Sequence, residues 1–268
     1  MSLKLSNPSI GIIGVGVVGS ALKTFYKTTD ITVYTYDKFK DTEGTLEECL
    51  QADIIFLCLP TLFNGKQYNK DEIYSVCNEL SEKNYLGLVV LKSTVEPGTT
   101  SDLAQRFSEL CIVHNPEFLS ADTAVKDFAK QSHIVVGGPM HLTSVLARFY
   151  RMHFPLSVIT ESTSVESESM KIFVNSFYAV KIQFFNELYL TCKNNGADFT
   201  KVKQMMLQNG WINPMHTDVP GKDGLLSYGG MCFPKDTSAL LSYMKERKLP
   251  CSVLEATVSE RNEMRRCY

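Results

Sequence analysis

Ile10-Gly11-Ile12-Ile13-Gly14-Val15-Gly16-Val17-Val18-Gly19-Ser20-Ala21-Leu22 is the stretch that decides the fold of this chain. A β-branched apolar run passes directly into glycines spaced G-x-G-x-x-G and then into a helical pattern. Gly14 permits a tight turn, Gly16 lets a pyrophosphate approach the backbone, and Gly19 allows close helix–strand packing. The helix then offers unpaired N–H groups and its positive dipole end to phosphates, with Val17 and Val18 in the first turn. Alone the pattern is weak, and a helix turn without nucleotide is the bland alternative. It gains weight from Tyr36-Asp37, where a second apolar run ends in a carboxylate eighteen residues past Gly19. That carboxylate can accept bonds from a ribose 2′-OH and repels a 2′-phosphate, so NAD is expected over NADP, although Lys38 beside it leaves some NADP tolerance.

Outward from this motif, short β-branched runs at 9–13, 31–36, 54–59, 86–91, 112–114 and 134–137 alternate with helical patterns such as 18–28 and 71–82. Strands alternating with helices imply a parallel sheet covered on both faces. The character changes near residue 160. No proline or glycine interrupts 164–194, and Asn194-Asn195-Gly196 supplies a stop signal. Such a helix exceeds ~40 Å at 1.5 Å per residue. It is apolar around most of its circumference and must be buried on most sides. Packing against the same helix of a second copy would achieve this, and burial between domains of one chain is the alternative. Further helices are expected at 198–208, 236–247 and 252–266, with a long Pro- and Gly-rich loop at 213–234. Structureless loops of that length are uncommon and usually functional. The expected architecture is therefore α/β: a Rossmann-type doubly wound parallel sheet over 1–160, then an all-helical dimerisation domain with one long helix over 161–268.

The chain has 268 residues, 44% hydrophobic and 21% charged, with a net charge of -2. No basic stripe offers a footprint for nucleic acid. No stretch approaches the ~20 apolar residues that span a bilayer, and the first residues lack the apolar core of a secretory signal. The eight cysteines contain no C-x-x-C pair, so a reduced, cytoplasmic setting is expected and neither a disulfide framework nor a metal site is.

Tyr228-Gly229-Gly230-Met231-Cys232-Phe233-Pro234-Lys235-Asp236 is the second constellation. A Gly-Gly pair before a cysteine frees the backbone to place the thiol at a cleft, Asp236 is read as the start and cap of a helix, and Lys235 is near enough to favour a thiolate. The competing reading is a loop-filling thiol beside an ordinary cap. Lys171 and Asn175, spaced i,i+4, share one helix face and are costly in so apolar a stretch unless they meet polar partners. An ammonium with an amide can hold a developing oxyanion; a snorkelling lysine and a satisfied asparagine are the alternative. Lys92-Ser93-Thr94-Val95 and Asn115-Pro116-Glu117-Phe118-Leu119 each follow an apolar run. They belong at the carboxyl edge of the sheet, where ligands sit in open α/β folds. Pro60 and Thr61, after the third run, join Ser93 and Thr94 as expected cofactor contacts.

Together these motifs resemble the UDP-glucose/GDP-mannose dehydrogenase family. They occur in that family's order and extend over nearly the whole chain. The resemblance implies four-electron oxidation of the 6-hydroxymethyl group of a nucleotide sugar by two NAD, with UDP-glucose favoured, in polysaccharide biosynthesis. It makes Cys232 the nucleophile, Lys171 and Asn175 the oxyanion donors, Asp236 and Thr94 the holders of a water, and Glu117 a proton-transfer group. Glu117, Phe118, Leu119, Lys171, Asn175, Tyr228 and Gly229 are the implied substrate contacts, and a homodimer through the long helix is the implied assembly. Two departures stand out. Where the family carries a second glutamate followed by glycine, this chain has Ala121 and Asp122. Members also continue into a third α/β domain over the nucleotide, whereas this chain ends at Tyr268. A short form lacking that domain is therefore expected, either natural or a fragment. Two other functions fit the residues: a two-electron dehydrogenase of the 3-hydroxyacid or 6-phosphogluconate kind, which needs no cysteine, and an inactive NAD-binding module.

Overall fold

The computed structural model describes residues 8–40 and 43–267. Strands and helices alternate through the first part as β1 (Ile10–Ile13), α1 (Val17–Tyr26), β2 (Val33–Tyr36), α2 (Leu46–Cys49), β3 (Ile54–Leu57), α3 (Asp71–Glu82) and β4 (Leu88–Leu91). They continue as α4 (Thr99–Arg106), β5 (Cys111–His114), α5 (Ala124–Ala129), β6 (His133–Gly137), α6 (Met140–His153) and β7 (Val158–Ser162). Helices alone follow: α7 (Ser164–Asn195), α8 (Phe199–Gln208), α9 (Phe233–Glu246) and α10 (Ser252–Cys267).

The seven strands form one sheet in the order β2-β1-β3-β4-β5-β6-β7. The first five are mutually parallel, whereas β6 meets β5 antiparallel through the single pair His114 and Gly137, and β7 runs parallel to β6. The expected parallel sheet is present, and the reversal at β6 is a feature the apolar runs did not mark, because such a run signals a strand but not its direction. Alternate residues feed two cores. Ile10, Ile12, Ile54, Phe56, Leu88 and Val90 pack with Leu22, Tyr26, Phe128 and Phe149, from α1, α5 and α6. Ile13, Ile55, Leu57, Val89 and Leu91 pack with Leu46, Ile73, Leu80 and Leu103, from α2, α3 and α4. Both faces are thus covered, which is why these strands read as unbroken apolar runs.

The chain divides into two compact units. One reaches to Leu62 and resumes from Tyr68 to Lys171; the other comprises Phe63–Gln67 and the chain from Ile172 onward. The boundary expected after residue 160 falls inside β7, which five residue pairs tie to β6. The division instead lies within α7. That helix begins with a reciprocal cap, in which Thr163 Oγ1 accepts from the Glu166 amide at 3.3 Å and Glu166 accepts from the Thr163 amide at 2.8 Å. Within its own unit α7 buries Ile172, Ala179, Phe185 and Cys192, and leaves Phe173, Phe177 and Phe184 exposed.

Candidate functional site

In the first unit the glycine loop has the three geometries its spacing demands. Gly14 has φ +89°, and a Cβ there would stand 2.6 Å from the Cys58 carbonyl oxygen. A Cβ on Gly19 would lie 2.0 Å from the Gly14 carbonyl oxygen, so helix and loop touch backbone to backbone. Gly16 differs, since nothing lies within 4 Å of its Cβ position. Gly16 is also the N-cap of α1, and no side chain caps that end. Open space above uncapped amides suits a pyrophosphate, with Val17 exposed and Val18 half-buried behind it.

Asp37, after the last residue of β2, accepts from the Val15 amide at 2.7 Å and from the Phe39 amide at 3.0 Å. Each carboxylate oxygen keeps lone pairs for a ribose hydroxyl. These residues fit a bound NAD. Lys38 points elsewhere, 3.3 Å from Glu72 at the surface. Lys40 does reach the loop, donating to the Val15 carbonyl. Sequence reasoning missed it, because a lysine in a loop past a strand end carries no periodic signal.

At the carboxyl edge of the sheet the Thr61 hydroxyl donates to the Thr94 carbonyl and the Ser93 hydroxyl to the Leu59 carbonyl, both at 2.7 Å. These hydroxyls tie the loops after β3 and β4 together beneath the exposed Pro60 and the half-buried Thr94. Lys92 is buried and donates to Asn115 Oδ1 at 2.9 Å and to the Pro116 carbonyl at 3.5 Å. Burial brings its ammonium down to about 8. Tyr150 donates to the same Asn115 oxygen, and the Asn115 amide donates to the Val135 carbonyl at 2.6 Å. The turn carrying Glu117 is therefore anchored from beneath.

Lys171, in the second turn of α7, donates to the Glu117 carbonyl at 2.5 Å, lies 3.3 Å from Glu117 Oε1 and stands over the Phe118 ring at 5.3 Å. Glu117 also accepts from the Leu119 amide at 2.6 Å. One turn earlier, the first residues of α7, which belong to the sheet unit, are held within it. Glu168, fully buried, accepts from the Gly98 and Thr100 amides at 2.6 and 2.7 Å and caps α4, and Ser167 meets His114 Nδ1 at 2.7 Å. Burial raises the Glu168 carboxyl and lowers the His114 imidazole to about 3. Buried and neutral, His114 is no proton carrier near physiological pH.

In the second unit Cys232 is exposed, outside any disulfide, and forms the N-cap of α9, where the helix dipole favours negative charge. The helix starts at Phe233, so the expectation that Asp236 begins and caps it is corrected. Pro234, with its fixed φ, suits the first turn and brings the start forward. Asp236 instead lies fully buried in that turn and accepts from the Asn175 amide and the Lys235 ammonium, both at 2.6 Å. Lys235 thus pairs with this carboxylate. Tyr228 is buried with its hydroxyl 3.4 Å from Thr237, and burial raises that phenol. Gly229 lies against Arg265. Among the described residues, no cluster of His, Cys, Asp or Glu is arranged to hold a metal ion, and no helix is long and apolar enough to cross a membrane.

Comparison with known proteins agrees with this layout. Residues 36–153 match the NAD binding domain of the UDP-glucose/GDP-mannose dehydrogenase family and residues 165–263 match its central domain. The chain belongs to that family. The UDP-glucose 6-dehydrogenase of Rhizobium meliloti is 30% identical over 231 residues, covering 80% of this chain and 51% of that protein. UDP-glucose 6-dehydrogenase TuaD of Bacillus subtilis is 33% identical over 228 residues, covering 81% and 48%. The chain thus spans about half the length of these relatives. In fold it is similar to a UDP-glucose dehydrogenase from Pyrobaculum islandicum, with TM-score 0.87 at 24% identity, over 99% of this chain and 70% of that one. A Mycobacterium tuberculosis 3-hydroxyisobutyrate dehydrogenase shares the fold with TM-score 0.76 at 14% identity, over 96% and 93%.

Proposed function

We propose that this chain carries out NAD-dependent oxidation of the 6-hydroxymethyl group of a nucleotide sugar to a carboxylate, with UDP-glucose the favoured substrate. The observation that carries the reading is the exposed Cys232 at the N-cap of α9, behind a Gly-Gly pair, with Asp236 of the same helix buried against Asn175. NAD held by the glycine loop at Gly14–Gly19 and by Asp37 would supply the hydride acceptor for both oxidations. After the first oxidation the Cys232 thiolate adds to the aldehyde carbon. The ammonium of Lys171 and the amide of Asn175 each retain donors beyond those they use at rest and stabilise the resulting oxyanion. A second hydride loss leaves a thioester on Cys232, because only a trapped aldehyde offers that hydride. Water held by Asp236 and Thr94 then attacks, Glu117 takes its proton, and the thiolate departs as the carboxylate forms. Such a thiol must stay reduced, which fits a cytoplasmic enzyme. The same reading makes the protein a homodimer through α7.

The decisive experiment counts NADH per sugar consumed, for wild type and Cys232→Ser, with UDP-glucose and GDP-mannose. Two NADH per sugar is expected from wild type, with turnover falling by about 10³-fold or more in the variant. Equal NADH yields from both proteins refute thioester chemistry. The likeness to the 3-hydroxyisobutyrate dehydrogenase over nearly its full length favours one second reading, a two-electron dehydrogenase. One NADH per substrate, with Cys232 dispensable, selects that reading. NAD binding without turnover on any sugar instead selects an inactive module, for which Ala121 is the motive.

A further inference from the structure

In the loop that delivers Cys232, Ser227 is engaged through its amide, its carbonyl and its side chain. Ser227, five positions before the cysteine, is buried and has φ +61°, a left-handed conformation that side-chain-bearing residues seldom adopt. Its amide donates to Asn186 Oδ1 at 2.8 Å and its hydroxyl donates to Gln183 Oε1, both from α7. Its carbonyl accepts from Arg265 Nη2 of α10 at 2.8 Å. Arg265 also reaches Asp223 at 2.6 Å, nearer the start of the same loop, and Arg261 donates to the adjoining Tyr228 carbonyl at 3.2 Å. Gln183 is oriented in turn, since its amide donates to Glu260 of α10 at 2.8 Å. Gly229 completes the fit, because a Cβ there would stand 2.6 Å from Arg265 Nη2.

A turn that needed only a positive φ would be served best by glycine. A serine held there by partners from two helices does more than turn the chain. We infer that Ser227 is a positioning residue, clamped by Gln183, Asn186 and Arg265, which fixes where the loop presents the Cys232 thiol. The inference rests on the reading of Cys232 as nucleophile, but it acts through geometry and can be read without turnover.

The test compares Ser227→Gly, Ser227→Ala and Gln183→Met with wild type. Glycine accepts the backbone conformation without strain, so that variant removes the hydroxyl and keeps the turn even if the alanine variant folds poorly. Iodoacetamide labelling followed by peptide mass spectrometry gives the alkylation rate of Cys232 relative to Cys251, an internal reference at the start of α10. The expected result for Ser227→Gly and Gln183→Met is a relative rate changed by about threefold or more. An accompanying fall of about 10-fold in kcat with KM for NAD unchanged is also expected, since small misplacement of a reacting group is expensive. Combining the glycine and methionine changes should add little to either alone, as partners in one contact do. A relative labelling rate equal to wild type in both variants overturns the clamp, whatever happens to turnover. Full turnover in Cys232→Ser would overturn the functional reading instead, and leaves the labelling result to decide the clamp by itself.

Discussion

Gly16 and Gly19 stand three positions apart in one motif and have opposite structural duties. The Cβ position of Gly19 is occupied by the Gly14 carbonyl oxygen at 2.0 Å, and backbone cannot swing aside as a side chain can. Gly19→Ala should therefore cost about 1–3 kcal/mol through overpacking and lower the melting temperature by roughly 5 °C. Gly16 has an ordinary φ of -75° and open space around it. Gly16→Ala should melt within about 1 °C of wild type, since it meets nothing in the folded chain. Its added methyl group would stand where a pyrophosphate comes against the α1 amides, so NAD affinity should drop by roughly 10-fold or more. Thermal melts with and without NAD, plus calorimetric titration, separate the two effects. If Gly16→Ala binds NAD as tightly as wild type, the pyrophosphate does not lie on this loop. The close backbone approach at Gly19 and the open space at Gly16 were legible from spacing alone, because G-x-G-x-x-G encodes backbone proximity. Lys40 and Ser227 were not, because each sits in a loop and acquires its partners only after distant elements come together.

At the scale of elements, the unbroken apolar runs of β1, β3 and β4 and the uninterrupted α7 were readable, since burial on both faces leaves a continuous signature. The sequence concealed β7, whose Val-Ile-Thr-Glu-Ser run lies at the sheet edge with no residue fully buried. The reversed direction of β6 was hidden for a different reason, since pattern carries no polarity. Pairing between helices was equally invisible. Glu187 of α7 and Glu260 of α10 share a hydrogen bond, and partial burial, reinforced by that bond and by the Glu260 charge, raises the Glu187 carboxyl from 4.5 to about 7. The titration belongs to the pair. A carboxyl with a raised folded pKa holds its proton more tightly than the unfolded chain does. Its contribution is therefore most favourable below about 4.5 and is lost as pH rises through about 7. Glu187→Gln keeps a donor toward Glu260 at every pH. The variant should match wild type near pH 4.5 and, above pH 7, melt roughly 2–4 °C higher, corresponding to about 1 kcal/mol for a pair partly open to solvent. Melting curves of both proteins from pH 4.5 to 8.5 give the difference directly. A constant offset across that range would mean that the two carboxyls do not share a proton.

For the whole molecule, the proposed assembly turns on the apolar residues that α7 leaves outside. Phe173, Phe177 and Phe184 are each more than half exposed, and their spacing of four and seven residues sets them in one narrow stripe along the helix. Scattered surface phenylalanines need no explanation, but an aligned row on a 32-residue helix is the kind of surface that marks an interface. A second copy of the chain is the proposed occupant, with the stripes of two α7 helices facing each other so that each phenylalanine loses contact with water. Because such an interface uses the same patch on both partners, one substitution alters it twice. Phe177→Asp places two carboxylates at its centre, and the cost of about 3 kcal/mol corresponds to a dissociation constant raised by roughly 10²-fold. Sedimentation of wild type at micromolar concentration should give the mass of two chains, and the variant should give that of one. The residue is exposed within its own chain, so the monomeric variant should keep wild-type circular dichroism and bind NAD with unchanged affinity. A wild type that sediments as a single chain at tens of micromolar would refute self-association through α7 and would leave the stripe without its proposed partner.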